Sequence, residues 1–175
     1  MVIDAMARDR RLSVVKLLPG YEKHYEAKPG VHAVAGAGEI VSCERLPTGR
    51  YNILLKGVWR IRIERELPAD VLYRVVRAER LEDVPADDVS GPLARVRSAC
   101  ARLLRALGRP ADLLDEALAE SQGPGAIADR VTAAVIPDAT VRQELLETLD
   151  VGARVERLAA ALDHLVNELT GGREP

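Results

Sequence analysis

The sequence predicts an α+β chain: a curled, β-rich part over residues 1–88, then an α-helical bundle over residues 89–175. Three observations predict it. Composition shifts along the chain, since Trp59, all four tyrosines (Tyr21, Tyr25, Tyr51, Tyr73) and all four lysines (Lys16, Lys23, Lys28, Lys56) lie in the first 73 residues. After residue 89 the chain turns to Ala, Leu, Val and Arg, and such a change marks two architectural parts. The first part alternates apolar and polar residues between Pro/Gly turns, whereas the second spaces its apolar residues by three and four.

Residues 2–10 have helix-compatible composition with a weak apolar face of Val2, Ile3 and Met6. Leu12–Leu18 is a β-branched run stopped by Pro19-Gly20, the pattern of a buried strand. Residues 21–30 are polar, end in a second Pro-Gly, and read as a loop. Glu39–Leu46 runs into Pro47-Thr48-Gly49 and then Arg50–Leu55, a β-hairpin signal. Gly57 interrupts the next stretch and predicts a bulge or bend. Beyond it Val58, Arg60, Arg62 and Glu64 point one way, and Trp59, Ile61 and Ile63 the other. Tyr73–Leu81 is a further strand, so five or so short strands with bends favour a small barrel.

From Pro92 a helix face runs through Leu93, Val96, Cys100, Leu103, Leu104 and Leu107, closed by Gly108 and Pro110. A short helix with Leu113, Leu114, Ala117 and Leu118 follows. The next, with Pro124 in its first turn, carries Ile127, Val131, Ala134 and Val135 up to Pro137. Thr140 with Gln143 forms a capping-box pattern, and Asp150 caps a last helix with face Val151, Val155, Leu158, Leu162, Leu165, Val166 and Leu169.

Hydrophobic residues at 47% and charged residues at 30% are the balance of a soluble globular protein. The net charge of −2 excludes affinity for nucleic acid or anionic lipid by bulk charge. No apolar run approaches the roughly 20 residues that span a bilayer, no signal core opens the chain, and two cysteines make no disulfide framework. The expectation is a cytoplasmic protein.

The search for catalytic chemistry returns none. Gly36-Ala37-Gly38 begins like a dinucleotide loop, but Val41 stands at the third glycine position and no helix follows. There is no phosphate loop. His24, His32 and Cys43 lack metal-ligand spacing and read as loop or surface residues, His164 as a solvated helix histidine, and Cys100 as a small buried hydrophobe. Ser13, Ser42, Ser90, Ser98 and Ser121 have no nucleophile context. Arg60 and Arg62 on one strand face, with Arg50 nearby, could grip phosphates; Glu44, Glu64 and Glu66 make a neutralised, solvated face the blander account. Trp59 shares its face with Ile61 and Ile63, as a core residue does; as a binding anchor it would act with Ile61 and Arg62 on a peptide.

The segment AGAGEIVSCERLPTGRYNILLKGVWRIRIERE resembles the core of the N-terminal, substrate-binding domain of Lon proteases. The resemblance rests on Gly36, Gly38, Leu46, Pro47, Gly49, Arg50, Tyr51, Gly57, Val58, Arg60, Arg62 and Ile63. It continues in the helical part through Gln143–Glu147, Asp150, Arg154, Leu158 and Leu162. It implies a PUA-like β pseudo-barrel followed by a helical bundle, with no catalytic residue, metal or cofactor. Gly49, Tyr51, Gly57 and Arg60 are then structural. The ATPase and Ser-Lys peptidase of Lon have no counterpart in these residues, so the likeness is to stand-alone substrate-binding-domain proteins. Two readings follow: a module that binds unfolded or tagged polypeptides, or a PUA-like RNA-linked module. The family's opening Pro/Leu-rich strand is missing here, so an open sheet edge is expected, covered by an upstream segment or by a homodimer.

Overall fold

The computed structural model describes residues 1–24, 28–119 and 123–171, and the chain divides into two compact units, Met1–Glu82 and Asp83–Pro175. Tyr25 and Ser121 lie outside the described residues, as does the side chain of His24.

The first unit opens with helix α1, Val2–Met6, shorter than the nine residues expected. The amides of Arg8 and Arg10 both donate to the Ala5 carbonyl, and Arg10 turns the chain with φ +60°. The residue buried from α1 is Ala5, while Ile3 of the expected apolar face is exposed. Strand β1 is Arg11–Val14, not the whole of Leu12–Leu18. The apolar run straddles two pairings, residues 11–14 with 36–39 and then Leu17 in an isolated bridge with Val31. Val14 pairs with Gly36 and the Leu18 amide donates to the Gly30 carbonyl, yet both side chains are exposed.

Strands β2 (Val34–Arg45), β3 (Tyr51–Leu67) and β4 (Val75–Leu81) complete an antiparallel sheet in the order β1-β2-β3-β4. The β2–β3 hairpin closes where expected. The Leu46 amide donates to the Arg50 carbonyl, and Gly49 holds φ +80°, a conformation that a side chain would strain. Four strands replace the expected five or so because β3 bends without breaking. Its register slips between Gly57 and Trp59, leaving Val58 as the inserted residue, and Val41 is inserted in β2. Strict alternation puts Gly38 and Ile40 on one face and Ala35 on the other, yet all three are buried. The buried side of the ladder therefore changes face at the Val58 bulge, as a strongly coiled sheet requires.

The second unit consists of α2 (Ser90–Ala106), a 3-10 turn at Ala111–Leu114 where a short helix was expected, α3 (Pro124–Val135), α4 (Ala139–Glu147) and α5 (Val151–Gly171). Its core gathers Val96, Cys100, Leu104, Val131, Val155, Leu158 and Leu162, the residues that the helical spacing singles out. Residues ahead of α2 belong to it as well: the Val84 amide donates to Leu149 and the Val151 amide to Val84. Asp138, not Thr140, caps α4, because its Oδ1 accepts from both Thr140 N and Val141 N while Gln143 turns to Glu147. Asp150 caps α5 by accepting from Ala153 N. No described helix is long and apolar enough to cross a membrane.

At the centre of this unit Arg154 is fully buried. Its Nη1 donates to Asp83 Oδ1 and to the Thr148 carbonyl, each at 2.9 Å, and Nη2 donates to Asp83 Oδ2. Asp129 stands 3.5 Å from Nε. Replacing Asp83 by Ala strands a buried cation and is expected to cost about 3–5 kcal/mol, read as a lower urea midpoint. Cys100 is also fully buried, and burial pushes its thiol up to about 11. Iodoacetamide at pH 8 is therefore expected to alkylate the half-buried Cys43 and to reach Cys100 only after denaturation, as mass spectrometry of timed samples will show.

Candidate functional site

Trp59 is half-buried on β3, and two guanidinium groups lie over its indole. Arg11 of β1 stands 4.6 Å from the ring centroid and Arg80 of β4 stands 5.3 Å from it. The ladder explains the convergence. Trp59 faces Ala37 across β2, Arg11 is paired one step along at Glu39, and Arg80 faces Ile61. All these residues share one sheet face, and the small Ala37 lets the long Arg11 side chain reach across it. Cation–π contacts of this kind are worth about 0.5–1 kcal/mol each at exposed sites. Both outer strands of the sheet thus meet at one indole. Arg10 aims Arg11 there: its carbonyl accepts from the Ile40 amide at 2.7 Å, which fixes the left-handed turn.

The three candidate peptide contacts are not brought together. Ile61 lies beside Trp59 but is only 8% exposed, a core position against Ala35. Arg62 lies on the opposite face, where its Nη1 is 3.8 Å from Glu79. That face also carries the Arg77–Glu64 ion pair at 3.1 Å, and past the register shift after Ile63 Glu66 pairs with Arg74 at 3.0 Å. Half-buried Arg60 stands on it between Gly36 and Leu81. Tyr51 opens β3 opposite Arg45, and Gly49 sits in the hairpin turn. Gly57 has open space where a Cβ would point; its partner Gly38 does not, since a Cβ there would stand 2.7 Å from both Leu55 Cγ and the Lys56 carbonyl. The steric demand at the bulge therefore falls on Gly38.

Sequence reasoning missed Arg11 and Arg80, which lie 69 positions apart and meet only through strand pairing. It also missed the contact from Tyr73, ahead of β4, to α1: its hydroxyl donates to Asp4 Oδ2 at 3.0 Å. That hydrogen bond, and then the terminal ammonium, hold the Asp4 carboxyl below its ordinary range, and the carboxylate in turn raises Tyr73. Exposed apolar side chains gather on the same unit: Val41 and Leu54 on the β2–β3 hairpin, Val58 at the bulge, and Val71 and Leu72 between β3 and β4. Among the described residues no three His, Cys, Asp or Glu side chains form a cluster able to hold a metal ion.

A coiled four-stranded meander followed by a helical unit now stands beside the comparisons with known proteins. The family model of the ATP-dependent protease La (LON) substrate-binding domain matches residues 1–164. This chain belongs to that family. It is similar to the Lon protease of Desulfosudis oleivorans, 22% identical over 180 residues, which takes in 98% of this chain and 21% of that protein. It is likewise similar to the Lon protease of Xanthomonas oryzae pv. oryzae, 27% identical over 168 residues, with 91% and 19% covered. The chain thus spans a fifth or so of the length of the curated relatives it matches. The N-terminal domain of Mycobacterium avium complex Lon protease shares the fold with a TM-score of 0.64 at 16% identity, over 87% of this chain and 90% of that one. The Lon N-terminal domain protein from Xanthomonas campestris does so at 0.54 and 18%, over 86% and 88%.

In this Lon substrate-binding domain the left-handed turn at Arg10 has a measurable cost. Replacing Arg10 by Gly is expected to raise stability by about 0.5–1 kcal/mol, because only Gly adopts that turn freely, with the thermal midpoint as the readout.

Proposed function

We propose that this domain binds unfolded or tagged polypeptide segments and performs no chemistry on them. The observation that carries the reading is the row of exposed apolar side chains on the two long strands: Leu54 at 63%, Val41 at 47% and Val58 at 44%. A folded surface seldom leaves such residues grouped on regular strands unless they meet a partner. Membership in the substrate-binding family supports the same reading, and the match is confined to that domain of the Lon relatives. An extended segment laid along the hairpin would meet these apolar groups, with Trp59 as a neighbouring anchor and Arg62 on the far face.

The RNA-linked reading has less behind it. Of the arginines that prompted it, Arg62 is held by Glu79, and the neighbouring Arg77 is held by Glu64, so positive charge on that face is partly compensated before any phosphate arrives. The fold alone does not choose between the two readings.

Trp59 is the sole tryptophan, so its fluorescence reports binding at the sheet. Titration with a tryptophan-free, permanently unfolded polypeptide is expected to change its emission without ATP and to leave the polypeptide uncleaved. Replacing Leu54 by Asp is expected to weaken that binding about ten-fold, the loss of one buried leucine contact. Cleavage fragments, or affinity indifferent to Leu54, would defeat the proposal.

A further inference from the structure

The sheet has a second feature, independent of polypeptide binding. β4 is its last strand, paired only with β3, and among the described residues no backbone hydrogen bond leaves its outer side. Arg77, Ala78, Glu79 and Arg80 are all exposed. Natural edge strands are blunted by brevity, proline, bulges or charged side chains, and charges bar a second copy only where like meets like. This one is seven residues long, lacks proline, and carries both signs.

We infer that β4 is a homodimerisation edge, pairing antiparallel with β4 of a second copy about a two-fold axis through Ala78. An edge-to-edge pair of identical strands in one sheet needs a two-fold axis normal to the sheet, and that axis passes through a residue paired with itself. With Ala78 on the axis all seven residues find partners: Val75 faces Leu81, Val76 faces Arg80, and Arg77 faces Glu79 on both sides. Moving the axis one residue either way sets Arg77 against Arg77 or Glu79 against Glu79, and like charges directly opposed destabilise a ladder. The small, exposed Ala78 leaves the backbones free to approach. Arg77 and Glu79 share a face with their own partners Glu64 and Arg62, so the pairing would join them into a chain of alternating charge across the axis.

The edge expected from the sequence lay at the first strand. β1, however, has four residues and carries Arg11 turned toward Trp59, so the longer and self-complementary edge is at the other side of the sheet. One strand pair buries less than the roughly 1,000 Å² of a durable complex, so the dimer is weak and reversible.

Sedimentation velocity on the full chain over a concentration series tests this. The unaltered chain is expected to dimerise in the micromolar-to-millimolar range. Arg77→Glu and Glu79→Arg should each abolish the dimer, because each sets like charges across both symmetric pairs. An equimolar mixture of the two variants should dimerise again, since each altered position then faces its opposite. The ion pairs these changes break within the chain are solvent-exposed and contribute little to folding. Ala78→Arg leaves those pairs intact, places two arginines on the axis, and should also yield monomer. A chain monomeric to ~1 mM, a dimer that any of these single changes leaves intact, or a mixture that stays monomeric would overturn the inference.

Discussion

A strand of 17 residues cannot run straight through a unit of 82, and most features of the sheet follow from that mismatch. Fully extended, β3 would measure about 55 Å, whereas a compact body of this size is roughly 30 Å across. The strand must coil, and it coils where one inserted residue, Val58, lets the ladder slip. Gly38 makes that crossing possible because the backbone of β3 occupies the space its side chain would need. On the far side of the slip the buried face has changed, so Ile61 and Trp59 turn inward where Ile40 and Leu55 did before. The same coiling brings the outer strands close enough for Arg11 and Arg80 to share one indole. The sheet is drawn together by side chains at a point where no described backbone pairing joins β1 to β4.

The helical unit depends on a different device. Its apolar residues would pack many arrangements of four helices, because hydrophobic burial has no direction. The Arg154 guanidinium has direction. It demands Asp83 from the segment before α2, the carbonyl of Thr148 from the α4–α5 turn, and Asp129 from α3 at one point. Buried ion pairs of this sort add little net stability over an apolar replacement, yet leaving one partner alone is costly. The pair therefore acts as a registry element, tying a loop and three helices into a single arrangement.

These two constraints separate the surfaces that bear on function. Coiling presents Val41, Leu54 and Val58 to solvent because the residues opposite them in the alternation are needed inside. Arg62 and Arg77, farther along the sheet, fall on the charged face and are held by Glu79 and Glu64. The apolar row proposed for polypeptide and the ion-paired outer strand proposed for a second copy thus arise from one sheet without competing for the same residues.

Much of this was legible in the residues alone. The strand and helix classes, the hairpin at Pro47–Gly49, the bulge beside Gly57, the buried Cys100 and the cap at Asp150 all depend on neighbours within a few positions, and local chemistry decides such features. The family was legible too, because its motif lies in one contiguous hairpin. Where the Leu12–Leu18 run stops pairing and which side of β3 is buried on either side of Val58 were not legible. Nor was the meeting of Arg11, Trp59 and Arg80, or that of Asp83 with Arg154. Each joins positions dozens of residues apart, and no local periodicity specifies register between distant strands or the partner of a buried charge. Only the closing of the chain on itself, where every buried polar group must find its complement, decides them.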